Sequence, residues 1–266
     1  MLNTEARETP MLQPSMKDSN LPLEIRLGFV KKVYGIMTAM LLVSFGIAAP
    51  FVFQRHETLT FMHHHAWIMG LASVFLLVHQ IVNIALMFEM CVGGGPCMRM
   101  YLKIFITVPF NYLFVFSYAA AFGVILGFVC ASYQAESVAL VFLFTAIIMA
   151  SLTIYAVTTK QDFSGCGPYI FVLCIGMLCL GLVALFFPYD SMIHKLIAGG
   201  GAILMSFLIV YDTQLIFGSA AQGFQNSGAA GRIEFTIDMY CFAAYQLYLD
   251  FINLFLYLLR LFGRRD

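Results

Sequence analysis

Charge is what this chain lacks. Asp, Glu, Lys and Arg make up 11% of its 266 residues and hydrophobic residues 61%, whereas an ordinary soluble domain is about 25% charged. With a mean hydropathy of +0.88, a soluble globular domain is excluded and an integral membrane protein is implied. Lys and Arg balance Asp and Glu at zero net charge, so no global field favours a nucleic acid. Zinc-ligand spacing is missing too: Cys91 and Cys97 flank a Gly-rich loop at a separation that fits no zinc pattern, and Cys130, Cys174, Cys179 and Cys241 sit inside apolar runs as small packing residues. The chain has no Gly-rich phosphate loop, no Ser/His/Asp pattern and no His-Glu-x-x-His. Its first residues, Met1 to about Pro22, lack the basic-then-apolar order of a cleaved signal. They read as a mobile polar tail.

What the chain does have is long apolar runs. A helix needs about 20 such residues to cross a bilayer, and seven stretches qualify: 33–53, 67–88, 104–130, 137–157, 168–187, 195–217 and 235–260. The runs are too long, and alternate too little, for a β-barrel. The expectation is an all-α bundle of seven transmembrane helices at residues 29–262, with a polar tail at 1–28 and a basic end at 263–266. Arg26, Lys31, Lys32, Arg99, Lys103, Lys160 and Arg232 fall on one side of that topology, and only Arg55 and Lys195 in the opposite loops. The Lys/Arg bias of short loops then places the N-terminus in the cytosol. One conflict remains: seven crossings put Arg260, Arg264 and Arg265 on the disfavoured side.

Two aspartates lie inside the last two runs, Asp212 in Val210-Tyr-Asp-Thr-Gln214 and Asp250 in Leu247-Tyr-Leu-Asp-Phe251. An ionisable residue in a membrane span costs roughly 2.5–3.5 kcal/mol on the insertion scale and is by default a functional hypothesis. Counted along antiparallel helices, the two carboxyls reach a similar depth. A close pair in low dielectric shares one proton, and a hard divalent cation such as Ca²⁺ is able to replace it transiently. Two separate aspartates, each hydrogen-bonded to a neighbouring helix, are the alternative. Asn253, one turn after Asp250, and Tyr211, Tyr248 and Gln246 are candidate supporting polar groups or packing contacts. His56 and His63 to His65 share one loop, where consecutive histidines rarely converge on one ion. His79 and Asn83 share a helix face that suits a packed interface. Presenilin-like proteases also pair transmembrane aspartates, and Tyr211-Asp212 fits their first motif. Leu247-Tyr-Leu-Asp250 does not fit their Gly-x-Gly-Asp, and the last proline, Pro188, precedes both aspartates, so their Pro-Ala-Leu is missing. No enzymatic activity is expected.

Taken together, Leu247-Tyr-Leu-Asp-Phe-Ile-Asn-Leu-Phe-Leu-Tyr-Leu-Leu-Arg260, Val210-Tyr-Asp-Thr-Gln214, Gly28-Phe-Val-Lys-Lys-Val-Tyr-Gly-Ile-Met37 and Thr159-Lys-Gln-Asp-Phe-Ser164 resemble, in order, motifs of the transmembrane Bax inhibitor motif family. The Lifeguard branch is the nearer one. The resemblance implies a central C-terminal helix and a pH-sensitive Ca²⁺ leak in endoplasmic reticulum or Golgi membrane. It also implies a cell-death-suppressing role and Asp212 and Asp250 as a di-aspartyl proton and calcium site. Calcium is then a permeant ion rather than a cofactor. The partners are the bilayer, Ca²⁺, protons and proteins of apoptosis or calcium release. A non-conducting scaffold and a proton-coupled Ca²⁺ antiporter are the rival functions. Three departures stand out. Ala120 replaces an acidic residue common in the third helix. Arg99 and Lys103 are the nearest candidates for a basic latch on the aspartates, but align imperfectly. The 218–231 loop is longer than usual.

Overall fold

Apolar runs that hide every backbone N–H and C=O have one local solution in lipid, the α-helix, and the described chain is helical throughout. The computed structural model describes residues 23–92, 105, 107–187, 191–217 and 237–265. Its helices are α1 (Leu23–Phe53), α2 (Arg55–His64), α3 (Ala66–Val92), α4 (Phe110–Ala131), α5 (Ala135–Thr158), α6 (Gly167–Phe186), α7 (Ser191–Phe217) and α8 (Tyr240–Phe262), with 3₁₀ turns at Ser164–Cys166 and Ile237–Met239. α1 and α4 to α8 are each long and apolar enough to cross a membrane. α3 is 27 residues long, and its described apolar stretch is Trp67–Ile81.

Consecutive long helices run antiparallel. At one end of the bundle the start of α8 meets the starts of α1 and α4: Lys32 lies over the Tyr240 ring at 5.2 Å, and Asn111 Nδ2 donates to Tyr240 Oη at 3.3 Å. At the opposite end the chain after α8 is tied to the α4–α5 link. The Gln134 amide donates to the Arg264 carbonyl at 3.0 Å, and the Arg264 amide to Ser137 Oγ at 3.0 Å. α8 therefore runs the full length of the bundle. The C-terminal arginines that conflict with the loop-charge rule do lie at the far end, where Arg265 Nη2 donates to Tyr133 Oη at 2.8 Å and Arg260 meets His194 at 3.0 Å.

α8 is central. Across its most apolar stretch 72% of residues are buried, against 6% for α6. Its aromatic residues key it into three neighbours: Phe255 packs edge-on to Phe45 of α1 at 5.3 Å, Tyr245 to Tyr118 of α4 at 5.0 Å, and Phe251 to Phe142 of α5 at 5.7 Å. Small residues set the crossing of α1 with α4. A Cβ on Gly123 would fall 2.8 Å from the Ser44 carbonyl oxygen, and one on Gly127 2.7 Å from the Phe51 ring. Small residues of this kind let backbones approach where lipid offers no hydrophobic drive.

Three local expectations change. The third run, 104–130, is broken rather than continuous: Phe105 is helical, Thr107 to Pro109 form a turn, and α4 begins at Phe110, because Pro109 interrupts the regular hydrogen-bond ladder and disfavours helix at the residue before it. The charged break at 54–57 opens α2 instead of a loop. The last helix starts at Tyr240, behind a 3₁₀ turn, rather than at 235.

Candidate functional site

α7 carries Asp212 five residues before its C-terminus, and α8 carries Asp250 ten residues after its start. At 1.5 Å per residue these are depths of about 7 Å and about 15 Å from the two helix ends. The helices pack closely along their length, with the start of α8 reaching beyond the end of α7. That offset brings the two carboxyls to one level. Both residues are 5% exposed, and their side chains are hydrogen-bond neighbours. Asp250 Oδ2 is buried and has no hydrogen-bond partner among the described residues. A buried polar atom without a partner is costly and rare, so this oxygen marks the site.

The surroundings are built from three helices. One turn before Asp250, and on its face of α8, Gln246 Oε1 is a second buried oxygen without a partner. From α6, the Cys174 thiol lies within electrostatic range of both carboxyls. Two residues beyond Asp212, the buried Gln214 side chain fastens the α5–α6 segment to α7. The Phe163 amide donates to Gln214 Oε1 at 2.7 Å, and Gln214 Nε2 donates to the carbonyls of Gln161 at 2.8 Å and Ala156 at 3.3 Å.

The remaining candidates separate. Tyr211 is buried but turned toward the start of α6, where a Cβ on Gly167 would come within 3.0 Å of its hydroxyl. Asn253 is half-buried one turn after Asp250. Tyr248 lies on the other side of α8, its hydroxyl 2.7 Å from Ser44 Oγ. Ala120 is half-buried in α4 beside the buried Ala119. Arg99, Lys103 and the 218–231 loop lie outside the described residues, as do the side chains of His56, His63 and Asn83. His65 stacks on Phe61 at 4.3 Å, and His79 on Phe114 at 4.2 Å. Among the described residues no three His, Cys, Asp or Glu side chains form a metal-ligand cluster.

Sequence reasoning treated Cys174 as packing and passed over the role of Gln214. The signal for Gln214 was present: a glutamine inside a membrane span needs partners, like any polar group in lipid. Cys174 carries no such signal, because its interest lies wholly in which helix faces it.

Comparison with known proteins identifies the family of the chain as a whole. The family model described as "Inhibitor of apoptosis-promoting Bax1" matches residues 26–266. Protein LIFEGUARD 4 of Arabidopsis thaliana is 31% identical over 256 residues, covering 94% of this chain and 89% of the relative. Protein lifeguard 3 of Homo sapiens is 28% identical over 246 residues, covering 91% and 70%. Bax inhibitor 1 of Schizosaccharomyces pombe is 26% identical over 240 residues, covering 90% and 77%. This chain belongs to the Bax inhibitor and Lifeguard family of multi-helix membrane proteins.

Proposed function

We propose that this protein is a proton-modulated Ca²⁺ leak of an intracellular membrane, endoplasmic reticulum or Golgi, through which it suppresses cell death, as its family description suggests. The observation that carries the reading is the unpartnered Oδ2 of Asp250 beside Asp212. Two carboxyls in contact hold one proton between them most easily, and a hard divalent cation competes for the same oxygens. Gln246 Oε1, one turn nearer the end of the bundle where α8 begins, extends the set of vacant acceptors along one line. Ca²⁺ takes six to eight oxygens in a stable site. Two carboxylates and one amide oxygen offer fewer, which suits a passing ion and not a resident one. Loss or gain of the shared proton biases a closed–open equilibrium only by its differential affinity for the two forms.

The test is Ca²⁺ flux into proteoliposomes holding the purified protein alone. Wild type should pass Ca²⁺ down its gradient at a rate that changes with pH. The Asp212→Asn, Asp250→Asn double variant should lose the pH dependence and most of the flux. Equal flux and equal pH response in the double variant would sink the proposal. An absence of wild-type flux without partners would instead favour a scaffold acting through other proteins, and uphill Ca²⁺ movement driven by a pH gradient would favour an antiporter.

A further inference from the structure

Among the six described helices long and apolar enough to cross a membrane, α6 is the least buried. Only 6% of its apolar stretch is buried, and it packs chiefly against α7 and the 3₁₀ turn before it. Yet it packs on α7, the helix that carries Asp212, and Cys174, two turns into α6, lies within electrostatic range of both aspartates. The segment that leads into α6 is fastened by one side chain. The Gln214 amide satisfies three backbone groups, at Ala156, Gln161 and Phe163, spread over the end of α5 and the link. The link carries Gly165 and leads to Gly167 at the first position of α6, where the Tyr211 hydroxyl already fills the space of a Cβ. Asp212 and Gln214 sit on the same turn of α7.

We infer that α6, with the 159–166 segment, is a hinged cover over the carboxyl pair, and that Gln214 is the latch that holds it shut. In the closed form the Gln214 hydrogen bonds keep the link against α7, and α6 seals the flank of the pair. In the open form those bonds are broken, the link swings at the glycines, and α6 moves off α7. A change at Asp212 reaches the latch through less than one turn of helix, so whatever binds at the carboxyls is positioned to bias the cover. The inference rests on the carboxyl pair being the working site. Its test reads the cover directly and needs no ion flux, so the two ideas fail separately.

The test measures labelling of native cysteines by a maleimide in proteoliposomes, resolved by mass spectrometry of the peptides. Cys174, half-buried, reports on the cover by its change in rate, while Cys179, exposed on the same helix, is the internal control. Gln214→Met keeps the side-chain volume and removes all three hydrogen bonds. Cys174 should then react about tenfold faster, a factor equivalent to roughly one net hydrogen bond, with Cys179 unchanged. Gln214→Glu, which keeps the acceptor for the Phe163 amide and loses both donations, should be intermediate. A folded Gln214→Met protein with wild-type Cys174 reactivity overturns the latch, whatever its melting temperature. If that variant does not fold, the wild type still decides. Hydrogen exchange at the Phe163 amide and labelling at Cys174 should report the same opening equilibrium within about threefold. A protected Phe163 amide alongside a freely reactive Cys174 overturns the proposal.

Discussion

The two sides of α8 solve the same problem in opposite ways. On the side toward α1 and α4, Tyr248 places its hydroxyl 2.7 Å from Ser44 Oγ, which also lies 2.8 Å from the Ala119 carbonyl and 3.1 Å from that of Met40. Tyr248 donates to the serine, the serine donates to a carbonyl, and both hydroxyls are satisfied. Two residues later, about 200° around the helix, Asp250 turns toward α7 with Oδ2 left vacant. Both seams are buried in the same helix. A satisfied network rigidifies a bundle, whereas a half-satisfied one costs stability that a purely structural role does not explain. The contrast assigns the serine–tyrosine seam to architecture and the carboxyl seam to function.

The largest effect is expected where the architectural seam is tightest. In Gly123→Val the new Cβ meets the Ser44 backbone carbonyl at 2.8 Å. Backbone yields less readily than the far end of a side chain, so α1 and α4 must separate. Overpacking of this kind costs about 1–3 kcal/mol or more, and here it also pulls Ser44 away from Tyr248. The expected outcome is a markedly lowered melting temperature, or loss of monodisperse protein in detergent. A Gly123→Val protein as stable as wild type would show that the crossing is slack and that the architectural label is misplaced.

Ser44→Ala is the milder probe of the same seam. It leaves the buried Tyr248 hydroxyl without its partner and opens little space. Leaving a buried hydroxyl unpaired costs about 1–3 kcal/mol in water-soluble proteins, and helix-to-helix hydrogen bonds in membranes average nearer about 0.6 kcal/mol. A loss of about 1 kcal/mol is therefore expected from thermal unfolding, with Ca²⁺ flux retained in the folded fraction. Flux lost from fully folded Ser44→Ala protein would extend the functional site to both sides of α8.

The two seams were not equally legible in the sequence. An aspartate in an apolar run announces itself through its cost, and depth counting alone places Asp212 and Asp250 at a similar level. The seven long helices and the central place of α8 follow as readily from span lengths and from the family resemblance. Ser44 and Gly123 gave no such signal. A serine in a membrane span bonds its own helix easily, and a glycine matters only through what stands opposite it, which is a tertiary fact. The break at 107–109 was not visible because an apolar count does not register how Pro109 reshapes a helix entrance. Gln214 falls between these cases: its polarity was visible, but its three backbone partners, at Ala156, Gln161 and Phe163, lie more than fifty residues away.

The smallest expected change in stability comes from the residue with the largest expected change in function. Asp250→Asn keeps the size of the side chain and its ability to bond Asp212, and it abolishes the carboxyl that a cation would displace a proton from. Because Oδ2 has no hydrogen-bond partner outside the carboxyl pair among the described residues, its replacement removes no native bond to the surrounding scaffold. A group held unsatisfied for function is one whose replacement is neutral or stabilising. Thermal unfolding should therefore show a change within about 0.5 kcal/mol, or a small gain, while Ca²⁺ flux falls and its pH response flattens. The comparison turns on the sign. If Asp250→Asn destabilises the bundle as much as Ser44→Ala and leaves flux intact, then the carboxyl seam is scaffold like the other, and the vacancy at Oδ2 has no functional meaning.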